Sequence, residues 1–401
     1  MAVIGGVAIW ILAIAAIPLA VVVGVFALQI LAAAWPARVA ETVRISPSVR
    51  RRITVLVPAH DESVGIARTL ESILPQLRAH DSVLVVADNC SDDTAAIARA
   101  CGAAVVERFH ETERGKGFAL AFGVDTMRAD PPGLVVIVDA DCALAPDALA
   151  RLARCVVATD RPAQALYLML APLDASVPRR LAQFAWRVRN WVRPAGWHRL
   201  GLPCQLMGTG MAFTWAMLRD AALANASIVE DMKLGIDLGL RGQAPVFCAD
   251  ALVTSAFPDS AGATRTQRTR WEHGHLEMIL REVPPMMKSA VGRRDGRMAG
   301  MALDLCIPPL ALLAASLLLS TLLAVGVSMW METPALAWLH GALLGMFSLA
   351  ALLAWVVRGR DLVRLSELLA IPLYVAAKIP LYFRFVWNRQ KQWVRTDRDE
   401  P

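Results

Sequence analysis

Apolar and polar positions divide the chain into membrane-like ends and an alternating middle. Residues 2–34 carry no charge and are dominated by Ala, Val, Ile and Leu. Such a run predicts one membrane-crossing helix, with Trp10 and Trp35 as interfacial anchors. A cleaved leader ending at Ala32-Ala33-Ala34 is the rival reading, but the run is too long and no basic segment precedes it. From residue 53 to about 160, β-branched runs alternate with helical patterns. Strands are predicted at 53–57, 83–86, 104–106 and 135–138, with a further one at 166–170. Helices are predicted after each of the first three strands, one capped by Ser91-Asp92-Asp93 and one opened by Arg114-Gly115-Lys116-Gly117. This alternation predicts a parallel sheet with right-handed crossovers.

Beyond the alternating region, Phe184, Trp186, Arg187, Arg189, Trp191 and Arg193 mix aromatic and basic residues at helical spacing. The pattern fits a helix lying in the membrane interface or an amphipathic helix on the core. Val229-Glu230-Asp231-Met232 begins another helix. Residues 301–327, apolar apart from Asp304, and 334–357 read as two further spans. Residues 368–387 are apolar but carry Pro372, Lys378 and Pro380, so an interfacial or re-entrant helix is expected there.

Composition agrees with this division. The 401 residues are 56% hydrophobic and only 19% charged, with mean hydropathy +0.46, which places part of the chain in lipid. The net charge of +6 beside apolar spans suits an anionic membrane surface better than a nucleic-acid groove, so lipid partners and no nucleic acid are expected. Arg38, Arg44 and Arg50-Arg51-Arg52 follow the first span, and Arg358, Arg360 and Arg364 follow the third. The loop between the second and third has no Lys or Arg, so the middle of the chain is expected on the cytoplasmic side of a multi-pass membrane protein. The seven scattered cysteines show no zinc-finger spacing and read as reduced packing residues.

The candidate chemistry sits at strand ends. Asp61, Asp88 and Asp139 each follow a predicted strand, and a parallel sheet gathers such positions at one crevice. Asp139-Ala140-Asp141 offers oxygen ligands to a hard cation, or is a turn with two solvated carboxylates. Lys116 alone reads as a solvated loop lysine. Glu230 and Asp231 are either chemical groups or acids favoured by the helix dipole. The helix N-terminus lowers the pKa expected for Asp231, and Glu230 raises it. Gln267 and Arg270 share a helix face, and Arg pairs bidentately with phosphate. Trp271 beside them offers a flat face to a sugar. His273 and His275, two apart on a helix, face different ways and read as interfacial or structural.

As a set, Val57-Pro58-Ala59-His60-Asp61-Glu62, Asp88, Arg114-Gly115-Lys116-Gly117, Asp139-Ala140-Asp141, Glu230-Asp231 and Gln267-Arg268-Thr269-Arg270-Trp271 resemble the membrane-embedded family 2 glycosyltransferases, such as the synthases of cellulose, chitin, hyaluronan and poly-N-acetylglucosamine. The resemblance implies an α/β GT-A-type (Rossmann-like) cytoplasmic domain plus α-helical transmembrane and interfacial helices. The implied division is a transmembrane helix at 1–36, the catalytic domain at 37–260 and interfacial helices at 261–300. Two transmembrane helices follow at 301–357, and an interfacial or re-entrant helix with a basic tail at 358–401. It also implies an inverting enzyme that uses a nucleotide sugar, a UDP-sugar first of all, and Mg2+ or Mn2+. The acceptor implied is a glycan, in exopolysaccharide or cell-surface glycan synthesis, with a lipid-linked acceptor as the alternative and an inactive scaffold subunit as the reading from another class. Carried over by position, the nucleotide-sugar set is Pro58, Ala59, Glu62, Asp88, Lys116, Asp139, Gln267 and Arg270. Asp141 is the implied metal ligand, Asp231 the catalytic base, and Glu230 and Trp271 the acceptor contacts. Asp61 stands where the family often has Asn, and Met207-Gly208-Thr209-Gly210 differs from the acceptor-side turn of the large polymer synthases.

Overall fold

A computed structural model describes residues 2–35, 51–224, 229–257 and 261–387. Arg38, Arg44 and Arg50, and the tail residues Arg389, Lys391, Arg395 and Arg398, lie outside the described residues.

The middle of the chain is built on one eight-stranded sheet. Its strands are β1 (Ile53–Ala59), β2 (Ser82–Asp88), β3 (Ala104–Arg108), β4 (Leu134–Ile137), β5 (Ala143–Leu144), β6 (Ala163–Leu170), β7 (Met211–Thr214) and β8 (Val246–Ala256), in the order β3-β2-β1-β4-β7-β6-β8-β5. The first four in that order are parallel, as their alternation with helices predicts. The sheet as a whole is mixed: β7 runs antiparallel to both β4 and β6, and β5 antiparallel to β8. The parallel pairing expected of the alternating region thus holds for β1 to β4, and the antiparallel strands added to it make the α/β sheet a mixed one. β1 and β4 are buried along their whole length because helices cover both faces. Ile66, Leu70, Leu149 and Leu152 pack on one face, and Leu120, Val124, Leu234 and Leu238 on the other.

The topology decides where the chemistry falls. β1, β2 and β4 all end at one edge, so the residues after them share that edge. β7 runs back from the same edge, since Met211 pairs with Ile137, and this brings the preceding Gly208-Thr209 turn there as well.

The N-terminal helix Ala2–Ala34 is 33 residues long, roughly 50 Å at 1.5 Å per residue, and so exceeds the ~30 Å hydrocarbon core. Phe26 packs against Phe347 of the Ala335–Arg358 helix, with ring centroids 5.4 Å apart. Ile4, Trp10, Ile11, Leu319, Leu322, Trp338 and Leu349 stay exposed, as lipid-facing positions do. Four stretches are long and apolar enough to cross a membrane: Ile4–Ala34, Leu310–Met331, Ala335–Arg358 and Leu365–Phe385. The expected span at 301–327 begins later. Pro308 and Pro309 separate the helix Gly296–Leu305 from the helix Leu310–Met331, so Asp304 precedes the span. The fourth stretch is broken into helical pieces at 365–370, 371–376 and 379–387.

Asp304 belongs to a buried polar clamp. It accepts from Gln29 Nε2 at 2.7 Å and from Arg193 Nη2 at 2.9 Å, while Arg193 Nε donates to Gln29 Oε1 at 2.8 Å. Gln205 Nε2 donates to the other Asp304 oxygen at 3.3 Å. A Cβ added to Gly196 would stand 1.9 Å from the Gln29 carbonyl, so glycine lets the two helices touch backbone to backbone. Phe184 to Arg193 thus dock on the membrane helix and the sheet rather than lying free in an interface.

Removing one partner of a buried pair strands the other charge. Asp304→Ala is expected to cost about 3–5 kcal/mol, whereas Gln29→Ala, which leaves the ion pair intact, should cost about 1 kcal/mol. Denaturant titration in mixed micelles measures both, and equal losses would show that the charge pair is not the centre of the clamp.

Candidate active site

The shared sheet edge opens into a cleft lined by Pro58, Ala59, Glu62, Asp88, Lys116, Asp139, Asp141, Glu230, Asp231, Gln267, Arg270 and Trp271. Every residue that the resemblance assigns to the donor, acceptor, metal or base role therefore faces one space.

Local structure explains the placements. After β1 the chain turns sharply at Asp61, whose φ of 50° is left-handed, a conformation Asn and Asp tolerate better than other residues. Asp61 accepts from the Ser91 backbone N–H at 2.6 Å, and the Thr94 hydroxyl accepts from the Glu62 N–H at 2.8 Å. Asp88 is 4% exposed and accepts from Arg108 Nη1 at 2.8 Å, a cross-strand pair between β2 and β3.

Lys116 is the largest departure from its bare sequence reading. It is not a solvated loop lysine: its side chain is 19% exposed, pairs with Asp139 and donates to the Gly208 carbonyl at 2.7 Å. Burial by itself lowers its pKa, but Asp139 and then Glu230 more than offset this and hold the ammonium charged. Gly208 has φ +91°, and a Cβ there would lie 3.5 Å from Asp231 Oδ2 and 3.7 Å from Lys116 Nζ. The Asp139 backbone N–H donates to the Thr209 hydroxyl at 3.1 Å.

Glu230 and Asp231 open the helix Glu230–Leu240. Burial is the main influence on both, and it raises their pKa values. Glu230 is pushed up to about 7. For Asp231, Lys116 and a hydrogen bond from the Met232 N–H pull the other way without cancelling the rise. The two effects weighed from sequence, dipole and neighbour, are thus both secondary to desolvation.

Asp139 and Asp141 bring carboxylate oxygens within 4.8 Å of each other and of Cys142 Sγ. Burial raises the Cys142 pKa well above normal and its thiol donates to Asp141 at 3.3 Å, so the hard-cation donors are the two carboxylates. A second acidic group, Asp61, Cys90 and Asp92, spends its oxygens on the turn: Asp92 accepts from the Ser63 and Thr94 N–H groups at 3.0 Å.

On the side of the long apolar helices an aromatic stack closes the cleft. Trp271 lies 5.0 Å from Trp186, and Trp186 meets Tyr167 edge-on at 5.4 Å. Tyr167, Trp186, Arg189, Asn190, Met207 and Arg114 line the cleft without having been singled out for it. The Trp/Arg spacing of residues 184–193 was visible, but which face meets the cleft depends on a π-helical turn at Val188–Val192. His273 and His275 lie outside the cleft lining, each with Nε2 at 3.1 Å from a backbone carbonyl, of Leu381 and Leu305 respectively.

Residues 50–274, more than half of the chain, match the family described as Glycosyltransferase like family 2. The chain belongs to that family. No curated protein matches the glycosyltransferase chain. Among solved structures it is similar to the mannosyltransferase PcManGT from Pyrobaculum calidifontis in complex with GDP-Man and Mn2+. Identity is 19%, coverage 84% of this chain and 98% of that one, and the TM-score 0.47. It is also similar to glucosyl-3-phosphoglycerate synthase from Mycobacterium tuberculosis in complex with Mn2+, UDP and phosphoglyceric acid. There identity is 22%, coverage 56% and 78%, and the TM-score 0.36.

The raised pKa of Glu230 has a stability consequence with a definite sign. An acid whose pKa rises from 4.5 to about 7 on folding binds more protons when folded, so stability falls as pH climbs through that window. Glu230→Gln removes the buried charge. The variant is expected to gain on the order of 1–3 kcal/mol over the parent at pH ~8 and nothing at pH ~4.5. Thermal unfolding across pH checks this, and a constant offset would refute it.

Proposed function

We propose that this glycosyltransferase moves a hexosyl or N-acetylhexosaminyl group from a nucleoside-diphosphate sugar, a UDP-sugar first of all, to an acceptor hydroxyl at the membrane. The product would be an exopolysaccharide or another cell-surface glycan. The observation that carries this reading is the meeting of three groups in one cleft: acids from parallel strand ends, the Glu230-Asp231 helix start, and Gln267, Arg270 and Trp271.

Asp139 and Asp141 fit a divalent cation, Mg2+ or Mn2+, by donor chemistry. Bound there, the ion would neutralise charge on the leaving diphosphate. Arg270 and Lys116 supply fixed positive charge to the same diphosphate. Pro58, Ala59, Glu62 and Asp88 line the end of the cleft suited to the nucleoside, with Gln267 beside the phosphates. Asp231 accepts the proton of the acceptor hydroxyl as its oxygen attacks the anomeric carbon. Its raised pKa strengthens it as a base. One direct displacement inverts the anomeric centre, and the nucleoside diphosphate leaves. Trp271, backed by Trp186, offers its face to the acceptor, with Glu230 alongside.

The orientation in the membrane belongs to the same proposal. The N-terminal helix starts beside Met331, where Gly5 leaves room for that side chain, and ends against Gly196. Its start and the Glu332–Pro334 turn therefore share one side, and the cleft domain lies at the other end, which the Lys/Arg asymmetry assigns to the cytoplasm.

Metal dependence is checked by chelation. Sugar transfer is expected to stop in excess chelator and return with Mg2+ or Mn2+, and Asp141→Ala should not recover. Full activity in chelator would remove the ion from the mechanism.

Base and binding roles separate by kinetics. Asp231→Asn is expected to lower turnover about 10²–10⁴-fold with donor affinity nearly unchanged. Arg270→Ala should lower both turnover and nucleoside-diphosphate affinity. Near-normal transfer by Asp231→Asn would move the base role to Glu230.

A further inference from the structure

Arg108 ends β3, opposite Asp88 in the register with β2, and both side chains are buried. Asp88 lines the cleft and Arg108 does not. A role for Arg108 there therefore runs through Asp88. The guanidinium is held on three sides. Nη1 donates to Asp88 Oδ1 at 2.8 Å and to the Glu113 carbonyl at 2.8 Å, and Nη2 donates to Glu113 Oε2 at 3.0 Å. Its Cζ lies over the Phe118 ring, 5.6 Å from the centroid, in the helix Lys116–Thr126. An arginine fixed in this way cannot turn away from Asp88 without giving up all three neighbours.

Asp88 Oδ1 carries a second donor as well. Asn89, left-handed at φ 53°, gives its Nδ2 to that oxygen at 3.1 Å. The Asn89 backbone N–H goes to the Arg108 carbonyl at 2.7 Å, and its Oδ1 accepts from the His110 N–H at 2.9 Å, so this side chain is fixed too. Two donors fill the two acceptor positions of one carboxylate oxygen. No hydrogen bond from a described residue reaches the other oxygen, Oδ2. Asp88 therefore offers the cleft one oxygen, not two.

That count distinguishes nucleobases. Uracil presents a single ring N–H between two carbonyls. Guanine presents a ring N–H beside an exocyclic amino group, two donors that a carboxylate meets with both of its oxygens. With Oδ1 filled, guanine would keep one donor unpaired against a carboxylate that is only 4% exposed, and an unpaired buried donor is costly. We propose that Arg108 is the positioning residue that makes the cleft select a uridine over a guanosine donor, by holding Asp88 so that one oxygen alone accepts. The inference rests on the donor reading above, with Asp88 at the nucleoside, and it assigns the choice of base to a residue outside the cleft.

The test uses the full-length protein in detergent micelles with Mn2+, titrated calorimetrically with UDP, GDP and inosine diphosphate. Inosine diphosphate is a purine nucleotide like GDP but lacks the exocyclic amino group, so it separates donor number from size. UDP and inosine diphosphate are each expected to bind the parent protein about tenfold or more tighter than GDP. Arg108→Met opens Asp88 Oδ1 and is expected to bring inosine diphosphate and GDP to within about threefold of each other. Arg108→Lys, which still donates to Oδ1, should keep the parent's discrimination. Weakening of all three nucleotides by one common factor in Arg108→Met would mark a merely structural role and overturn the proposal. Equal binding of inosine diphosphate and GDP by the parent would overturn it as well, and that measurement needs no variant to fold. Failure of the parent to bind any of the three would instead sink the donor reading, so the two failures are distinguishable.

Discussion

The cleft depends on one ammonium. Four carboxylates, from Asp139, Asp141, Glu230 and Asp231, line one cleft between a strand end and a helix start. Burial and their mutual repulsion raise the pKa values of Asp139, Glu230 and Asp231. Lys116 answers this from the first turn of its helix, paired with Asp139 and raised in pKa by Asp139 and Glu230 together. It also ties down Gly208, the residue whose missing side chain keeps space open beside Asp231. Charge balance and cleft shape are thus set by the same side chain.

A second constraint orders the membrane side. The helical run from Val177 to Arg199 presents Trp186 and Arg189 to the cleft and Arg193 to the clamp with Gln29 and Asp304. Residues three and seven beyond Trp186 can serve these different neighbours because the π-turn at Val188–Val192 shifts the helical phase between them. The clamp fixes that run to the N-terminal helix. The aromatic face behind Trp271 is therefore referenced to the N-terminal helix, not only to the sheet.

The sequence made some of this legible for physical reasons. β1, β2 and β4 are β-branched runs buried on both faces, and their terminal acids mark the crevice directly. β7 and β5 are short, with four and two residues, and their antiparallel pairing follows from tertiary placement that periodicity does not encode. Gln267, Arg270 and Trp271 were readable as a helix face. Lys116 was not readable from its own neighbourhood, because its partners Asp139 and Gly208 lie 23 and 92 positions away. Asp304 looked like a lone charge in a span, whereas Pro308 and Pro309 end its helix before the membrane segment starts.

The helix Ala261–Arg293 acts as the partition between the cleft and a second cavity, of about 200 Å3, walled by Leu181, Phe347 and Ala351. Gln267 and Arg270, three apart, line only the cleft; Arg268 and Glu272, four apart, line only the cavity; Trp271 lines both. Glu272 is 8% exposed and pinned by Lys378 at 2.6 Å, with Lys378 lying between the helical pieces 371–376 and 379–387 and lining the same cavity. The opposed faces of one helix therefore present Gln267 and Arg270 to the cleft and Arg268 and Glu272 to the cavity, with Trp271 common to both.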